Sequence, residues 1–179
     1  MLNLQPSLSG KHVILRPLHS DDFEALRRIA ADPLLWAQHP DPSRGTPEGF
    51  RALFDAALTS GGSLTALDVQ KGVQVGCTRY LRYIPATSVD IGFTFLSREY
   101  WGGVTNGEMK RLMLEHAFRE VPEVHFRVAE GNVRSRRAVE KLGCEIIGHE
   151  PTPRYGQIHV IYRLTPQLWA QVKSPQYGP

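Results

Sequence analysis

Two segments of the chain combine residue types that suit the binding of a phosphorylated ligand. The first, residues 88–120, is predicted to form a strand, a glycine-rich turn and a long helix. The first turn of a helix has backbone N–H groups without intrahelical partners, and the helix dipole adds positive potential there. A phosphate or diphosphate suits such a terminus, and Gly102 and Gly103 would let the backbone approach it closely. A turn with two glycines is also common in proteins that bind nothing there.

The second segment is EGNVRSRRAVEKLG at residues 130–143, in which a capping residue precedes a basic helix. Asn132 can cap the helix that follows, and this structural role is sufficient to explain it. The basic residues of the helix are Arg134, Arg136, Arg137 and Lys141. Such a row is ordinarily a solvated face, so the residues alone leave both a structural role and an anion-binding role open.

Length and composition limit the classes of protein that these segments can belong to. The chain has 179 residues, of which 41% are hydrophobic and 22% charged, as in a globular protein with a single domain over residues 1–179. The net charge of +3 is too small to indicate a nucleic-acid partner, although it suits an anionic ligand.

The cysteines and the N-terminus indicate the compartment. Cys77 and Cys144 are too few for a disulfide framework and too far apart for a zinc site, so we expect free thiols and no metal. The N-terminal residues do not resemble a signal peptide, and no apolar run has the length of a membrane helix. We therefore expect a cytoplasmic protein without a membrane partner.

Hydrophobic periodicity and capping residues predict the elements that position the two segments. Ser20 or Asp21 caps one helix, and Pro47 lies in the first turn of a second. In the first part of the chain we expect a strand at 12–17, a helix at 21–31, a loop at 32–45, a helix from 46 to about 58, and strands at 63–69, 73–83 and 88–96.

The second part of the chain is predicted to alternate between helices and strands. We expect a turn at REYWGGVTNG, helices at 106–120 and 133–142, strands at 123–129, 144–150 and 157–165, and a flexible tail from about 170. Within 88–96, alternation predicts Asp90, Gly92 and Thr94 on one face and Val89, Ile91, Phe93 and Phe95 on the other. The strand–helix–strand passage implies local parallel pairing, and thus a twisted mixed sheet with helices on both faces.

Three ordered blocks of sequence resemble the GNAT superfamily of N-acetyltransferases, and its RimJ/RimL-like branch in particular. They are GKHVILRPLHSDDFEAL, VDIGFTFLSREYWGGVTNGEMKRLMLEHAF and VHFRVAEGNVRSRRAVEKLGCEIIGHE. The resemblance covers nearly the whole chain. It implies an α/β fold with a mostly antiparallel sheet of about seven strands that is splayed in the middle.

The resemblance also implies that acetyl-CoA lies between the strands at 88–96 and 123–129. Its pantetheine arm would extend the first strand through backbone groups near Phe95 and Leu96 and would also contact Asn132. Arg98 and Arg137 are candidate phosphate partners. The diphosphate would meet the turn and the first helical residues, which are Trp101, Gly102, Gly103, Val104, Thr105, Asn106 and Gly107.

One residue departs from the pattern of the superfamily. The phosphate turn of the family has a glycine at the position that Val104 occupies here, and Gly103 comes one place early. Valine disfavours a positive φ, so we expect either weaker CoA binding or a shifted turn that uses Gly103. A non-catalytic acyl-CoA-binding or regulatory domain is the alternative that this departure favours.

The implied reaction is direct attack of a neutral primary amine on the thioester. Asp90 is the candidate base, although it also suits a rim carboxylate without a role. A backbone N–H near Phe95 would stabilise the oxyanion. Ser135 is the candidate proton donor to the CoA thiolate and a cofactor contact, although capping of the helix explains it as well.

The acceptor pocket is expected to use the first two helices, the 32–45 loop and the final hairpin. Its candidate residues are Trp36, His39, Tyr83 and Tyr155, each of which also suits ordinary packing. A peptide N-terminus is the best-known acceptor of the branch, but near relatives acetylate small amines and antibiotics. Dimers are frequent in the family, and nothing in this sequence indicates one.

Overall fold

The computed structural model describes residues 1–152, 156–173 and 178. Its strands are β1 (Leu8–Ser9), β2 (Val13–Pro17), β3 (Ser63–Asp68), β4 (Gln74–Ile84), β5 (Ser88–Leu96), β6 (Glu123–Ala129), β7 (Glu145–Thr152) and β8 (Gln157–Leu164). Its α-helices are α1 (Phe23–Ala30), α2 (Pro47–Thr59), α3 (Val104–Ala117), α4 (Val133–Glu140) and α5 (Pro166–Ala170). Short 3-10 helices precede α1, α2 and α3.

All eight strands form one open sheet in the order β1-β2-β3-β4-β5-β6-β8-β7. Every neighbouring pair is antiparallel except β5 and β6, which are parallel because α3 carries the chain across between them. The predicted mixed, mostly antiparallel sheet is confirmed. It has one strand more than the seven expected, because the two-residue β1 pairs with β2 at the edge.

The central pair of strands separates soon after it starts. β5 and β6 are paired only from Ser88 to Asp90 on one side and from Glu123 to His125 on the other, although both strands continue. β6 instead remains paired with β8 as far as Ala129. The sheet therefore contains a wedge between the later halves of β5 and β6, as the family resemblance implied.

Helices pack against both faces of the sheet, and the alternation of β2 and β3 shows this. Leu15 and Leu64 lie in the larger hydrophobic cluster, together with buried residues of α3, α4 and α5. Arg16 and Thr65 point the other way, because both bond to Asp22 at the start of α1. The second cluster, on that face, is formed mainly by α1 and α2.

A β-bulge corrects the predicted faces of β5. Arg79 pairs with Gly92 and Cys77 pairs with Phe95, so two residues of β5 lie opposite one residue of β4. Phe93 takes a φ of 50° at this bulge. As a result Thr94 turns towards α3, and Phe95 turns towards the α1–α2 face, where it packs against Trp36 and Phe50. The prediction holds to Ile91 and is wrong from Phe93 onwards.

The ends of some helices also differ from the sequence prediction. α3 starts at Val104, two residues before the predicted start, and ends at Ala117, three residues before the predicted end. α5 was not predicted, although Thr165 caps it and Pro166 occupies its first turn. None of the helices in the described ranges has both the length and the apolar character needed to cross a bilayer.

Candidate active site

A cavity of about 1020 Å³ occupies the wedge between β5 and β6. Its walls also include the loop before α2, the turn before α3, the first part of α4 and the facing ends of β7 and β8. It brings together most of the predicted site residues, which are Trp36, His39, Asp90, Phe95, Leu96, Trp101, Gly102, Asn106, Asn132, Ser135 and Arg137.

The turn before α3 shows how the chain accommodates a valine at position 104, where the family has a glycine. The residue with a positive φ is Gly102, at 69°, and Gly103 is the extended N-cap. Val104 is simply the first helical residue, with its side chain 50% exposed. The shift in the turn therefore depends on Gly102, one place before the predicted Gly103.

The start of α3 suits an anion. Its N-cap is a glycine, Gly103, which has no side chain to cap the helix, and the first turn of a helix favours an anion. A Cβ on Gly102 would have no atom within 4 Å, which leaves open space beside the turn. Thr105 and Gly107 are buried on the inner side of the helix and, like Gly103 and Val104, do not line the cavity.

Two other predicted residues do not line the cavity, and a third cannot be placed relative to it. Arg98 is ion-paired with Asp32 on the surface, so its guanidinium is already engaged. The Tyr83 hydroxyl accepts a hydrogen bond from the backbone N–H of Leu2 at 3.0 Å, and the side chain packs against the larger hydrophobic cluster. Tyr155 lies outside the described residues.

The start of α4 is held by an asparagine cap. The Asn132 side chain accepts a hydrogen bond from the Ser135 N–H at 3.2 Å, so the structural role considered for Asn132 is present. Arg134, which sequence reasoning did not select, donates to the Leu35 carbonyl at 2.8 Å and stacks over Trp101 at 4.0 Å. It thereby links the loop before α2 to the turn before α3.

Asp90 lies at the narrow end of the wedge, on the last paired rung of β5. Its side chain is almost completely buried, and Oδ2 accepts hydrogen bonds from Arg127 at 2.8 Å and from Arg82 at 3.2 Å. Its Oδ1 faces His125 Nδ1 at 3.8 Å. Asp90 is thus the buried centre of an ion-pair cluster rather than a residue of the rim, and it is the only carboxylate at this end of the described wedge that accepts from two arginines.

The predicted residue His39 is neutral at neutral pH. Burial, and then the nearby charge of Arg44, lower the pKa of His39 to about 4. Its Nδ1 accepts a hydrogen bond from the Asp41 N–H at 2.9 Å, so the proton of the neutral ring is on Nε2. His39 is therefore a hydrogen-bond donor from the loop side of the cavity.

Lys110 on α3 also lines the cavity and was missed by sequence reasoning. Its Nζ donates to the Thr94 hydroxyl at 2.8 Å and lies 5.6 Å from the centroid of the Phe126 ring. Burial lowers its pKa to about 7. The available signal was its position on the apolar stripe of the helix, three residues before Met113.

Four arginines that line the cavity were missed as well, and they are Arg44, Arg79, Arg82 and Arg127. They come from the loop before α2, from β4 and from β6. Nothing in their local sequence marks them, because only the fold brings them to one cavity.

Comparison with known proteins agrees with this geometry. Residues 12–145 match the model of a protein family described as an acetyltransferase (GNAT) domain. No curated protein matches the chain in sequence.

Solved structures show a similar fold. A GCN5-related N-acetyltransferase from Brucella melitensis superposes with a TM-score of 0.82 at 17% identity, over 94% of this chain and 82% of that one. Mycobacterium smegmatis RimJ, in complex with CoA-disulfide, has a TM-score of 0.66 at 18% identity, over 89% and 85% of the two chains. The ribosomal-protein-S5-alanine acetyltransferase of Vibrio fischeri has a TM-score of 0.66 at 15% identity, over 90% and 97%.

Proposed function

The chain belongs to the GNAT acetyltransferase family and uses acetyl-CoA, and from this premise we propose that it acetylates a primary amine by direct attack between β5 and β6. The observation that carries the proposal is the separation of these two strands after Asp90, with the start of α3 beside the opening. We further assign the chain to the RimJ/RimL-like branch, which the fold of the RimJ structure supports.

The donor side of the cavity would hold the CoA through backbone groups and a few side chains. Beyond Asp90, the edge of β5 that faces β6 pairs with no other strand of the described chain and can pair with the pantetheine arm. One group there is already used, because Trp101 Nε1 donates to the Leu96 carbonyl at 3.0 Å. The start of α3 and Arg137 would hold the phosphates.

The acetyl-CoA supplies an activated thioester, and the residues of the wedge manage charge and protons around it. In our proposal Asp90 Oδ1 accepts the amine proton, directly or through water, because Oδ2 is already bonded to two guanidinium groups. A backbone N–H near Phe95 stabilises negative charge on the carbonyl oxygen. As the C–N bond forms and the C–S bond breaks, the Ser135 hydroxyl donates a proton to the leaving sulfur and regains one from water. Asp90 returns to that water the proton it accepted from the amine, so both side chains end in their starting forms.

We propose a peptide N-terminal α-amine as the acceptor. An α-amine has a pKa of about 8 against about 10.4 for lysine, so a larger fraction is neutral and nucleophilic at neutral pH. The fold shared with a ribosomal-protein-S5-alanine acetyltransferase supports this class of acceptor. The reason for a non-catalytic domain is weaker than the sequence suggested, because Val104 has ordinary helical geometry.

Two measurements test the proposal together. Acetyl-CoA should raise the melting temperature of the protein, and free thiol should appear when a panel of peptides, polyamines, amino acids and aminoglycosides is supplied. Thermal stabilisation without thiol release on any acceptor would contradict amine acetylation. The absence of stabilisation at millimolar acetyl-CoA would contradict the location of the donor.

A further inference from the structure

Arg79 of β4 is a buried guanidinium on the acceptor side of the cavity. It lies opposite Gly92 of β5, and its side chain lines the cavity while the residue is only 8% exposed. Its Nε donates to the Ser63 hydroxyl at 2.9 Å, and its guanidinium lies 4.4 Å from the centroid of the Phe93 ring. Both contacts are to neutral groups.

No carboxylate within the described ranges forms an ion pair with Arg79. Burial is the main cause that lowers the pKa of Arg79; a charged Cys77 would raise it, and the cation Arg44 lowers it further. Arg44 stacks over the same Phe93 ring at 5.2 Å and has its own partner in Asp41 at 3.7 Å. Burial raises the pKa of the nearby Cys77 thiol to about 12, so this group supplies no negative charge at neutral pH.

An uncompensated buried charge is costly, and proteins normally place an opposite charge beside it. The backbone is also strained at this point, because Phe93 is a non-glycine residue with a φ of 50°. The strained backbone turns its ring beneath both guanidinium groups. Strain of this kind, kept beside a cavity, is typical of ligand-binding sites.

We propose that Arg79 binds a carboxylate of the amine acceptor, so that the preferred acceptors of this enzyme carry an anionic group close to the reacting amine. The proposal rests on the proposed function and specifies its acceptor. Guanidinium groups match carboxylates with two parallel hydrogen bonds.

The spacing along the sheet is compatible with one small acceptor. Gly92, opposite Arg79, follows Asp90 by two residues of β5, which is roughly 7 Å along a strand. A carboxylate at Arg79 and an amine near Asp90 would thus be separated by a few bonds. An acidic side chain near a peptide N-terminus can span this distance. The α-carboxylate of an amino acid lies only two bonds from the amine, so it would require the Arg79 and Asp90 side chains to converge.

Two matched pairs of acceptors test the proposal and distinguish these sources. The first pair is L-alanine against L-alaninamide, and the second is an amidated Ala-Glu peptide against its Ala-Gln counterpart. We expect kcat/KM to be roughly tenfold or more higher for the carboxylate member of at least one pair, as for a hydrogen-bonded charge. Equal kcat/KM values within both pairs would overturn the proposal.

Substitution of Arg79 should remove this preference. In Arg79→Met the ratio should fall below about threefold through a rise in the acceptor KM, and Arg79→Lys should keep part of it. The matched control is Arg51→Met, because Arg51 also stacks on a ring, 3.5 Å from the centroid of Phe23, but lies outside the described cavity. A preference that survives in folded Arg79→Met would overturn the assignment.

A binding measurement separates this proposal from the proposed function. If no acceptor is acetylated, the same pairs are titrated into the CoA-saturated wild-type protein by calorimetry. Tighter binding of the carboxylate member that is lost in Arg79→Met supports the site even without turnover, whereas equal binding overturns it. A wild-type preference for succinyl-CoA over acetyl-CoA that Arg79→Met abolishes would also overturn it, because the anion would then belong to the donor.

Discussion

The two sides of the cavity are built in different ways. The donor side uses backbone groups and short segments, the edge of β5, the turn at Gly102 and the starts of α3 and α4. The acceptor side is built from side chains that lie far apart in sequence, from His39 to His159. In our proposal, backbone groups common to every residue bind the cofactor, and the charges that select an acceptor depend on which side chains the fold brings together.

The largest effect is expected at the narrow end of the wedge, where the two sides meet. Asp90→Asn should lower kcat by roughly 100-fold to 10,000-fold, because the amide cannot accept the amine proton. Acetyl-CoA affinity should change little, as measured by calorimetry. The matched control is Glu150→Gln, since Glu150 also pairs with Arg127, at 2.7 Å, but is on the exposed rim.

An equal loss of kcat in both variants would mean that the loss comes from disrupting the ion-pair cluster rather than from removing a base. An unchanged pH–rate profile in Asp90→Asn would also remove Asp90 from the role of base.

Lys110 lines the same cavity, and the pH dependence of stability tests whether burial keeps its amine neutral. Its pKa is about 7 in the folded protein against an ordinary value of 10.5. Between these values the unfolded chain binds a proton that the folded chain lacks, so stability rises with pH, by up to about 1.4 kcal/mol per pH unit. Lys110→Met should remove this slope and should be more stable than the wild type near pH 7.

Urea unfolding between pH 7 and pH 9 measures the slope in both proteins. Identical slopes in the wild type and in Lys110→Met would show that Lys110 is charged and solvated in the folded state.

Acetyl-CoA binding on the donor side should weaken when only the backbone conformation of the turn before α3 is disturbed. Gly102→Ala forces alanine into a left-handed conformation and should weaken acetyl-CoA binding about tenfold, with a loss of about 1–2 kcal/mol of stability. Gly72→Ala is the matched control, because Gly72 has a φ of 66° and open space around it in the β3–β4 turn.

The two variants should lose similar stability, and only Gly102→Ala should lose acetyl-CoA affinity. Similar affinities for acetyl-CoA in both variants would contradict the claim that the backbone turn at Gly102 contributes to acetyl-CoA binding.

Most elements of the fold, including the starts of the helices that line the cavity, were predictable because their signals are local. The strand at 123–129 and the helix starting at Val133 follow directly from alternation and from the Asn132 cap. The faces of Thr94 and Phe95 were not predictable, because the bulge at Phe93 depends on pairing with β4. Arg79 and Lys110 were not predicted as site residues for a related reason, since a lone charged residue on a strand or helix is normally solvated.

The central claim is that acetyl-CoA lies in the wedge between β5 and β6, over the start of α3. Amide hydrogen exchange with and without acetyl-CoA tests it most directly. We predict slower exchange at residues 91–96 and 102–107 and no change in β2. Unchanged exchange in these two segments at saturating acetyl-CoA, or slower exchange confined to other parts of the chain, would contradict the account.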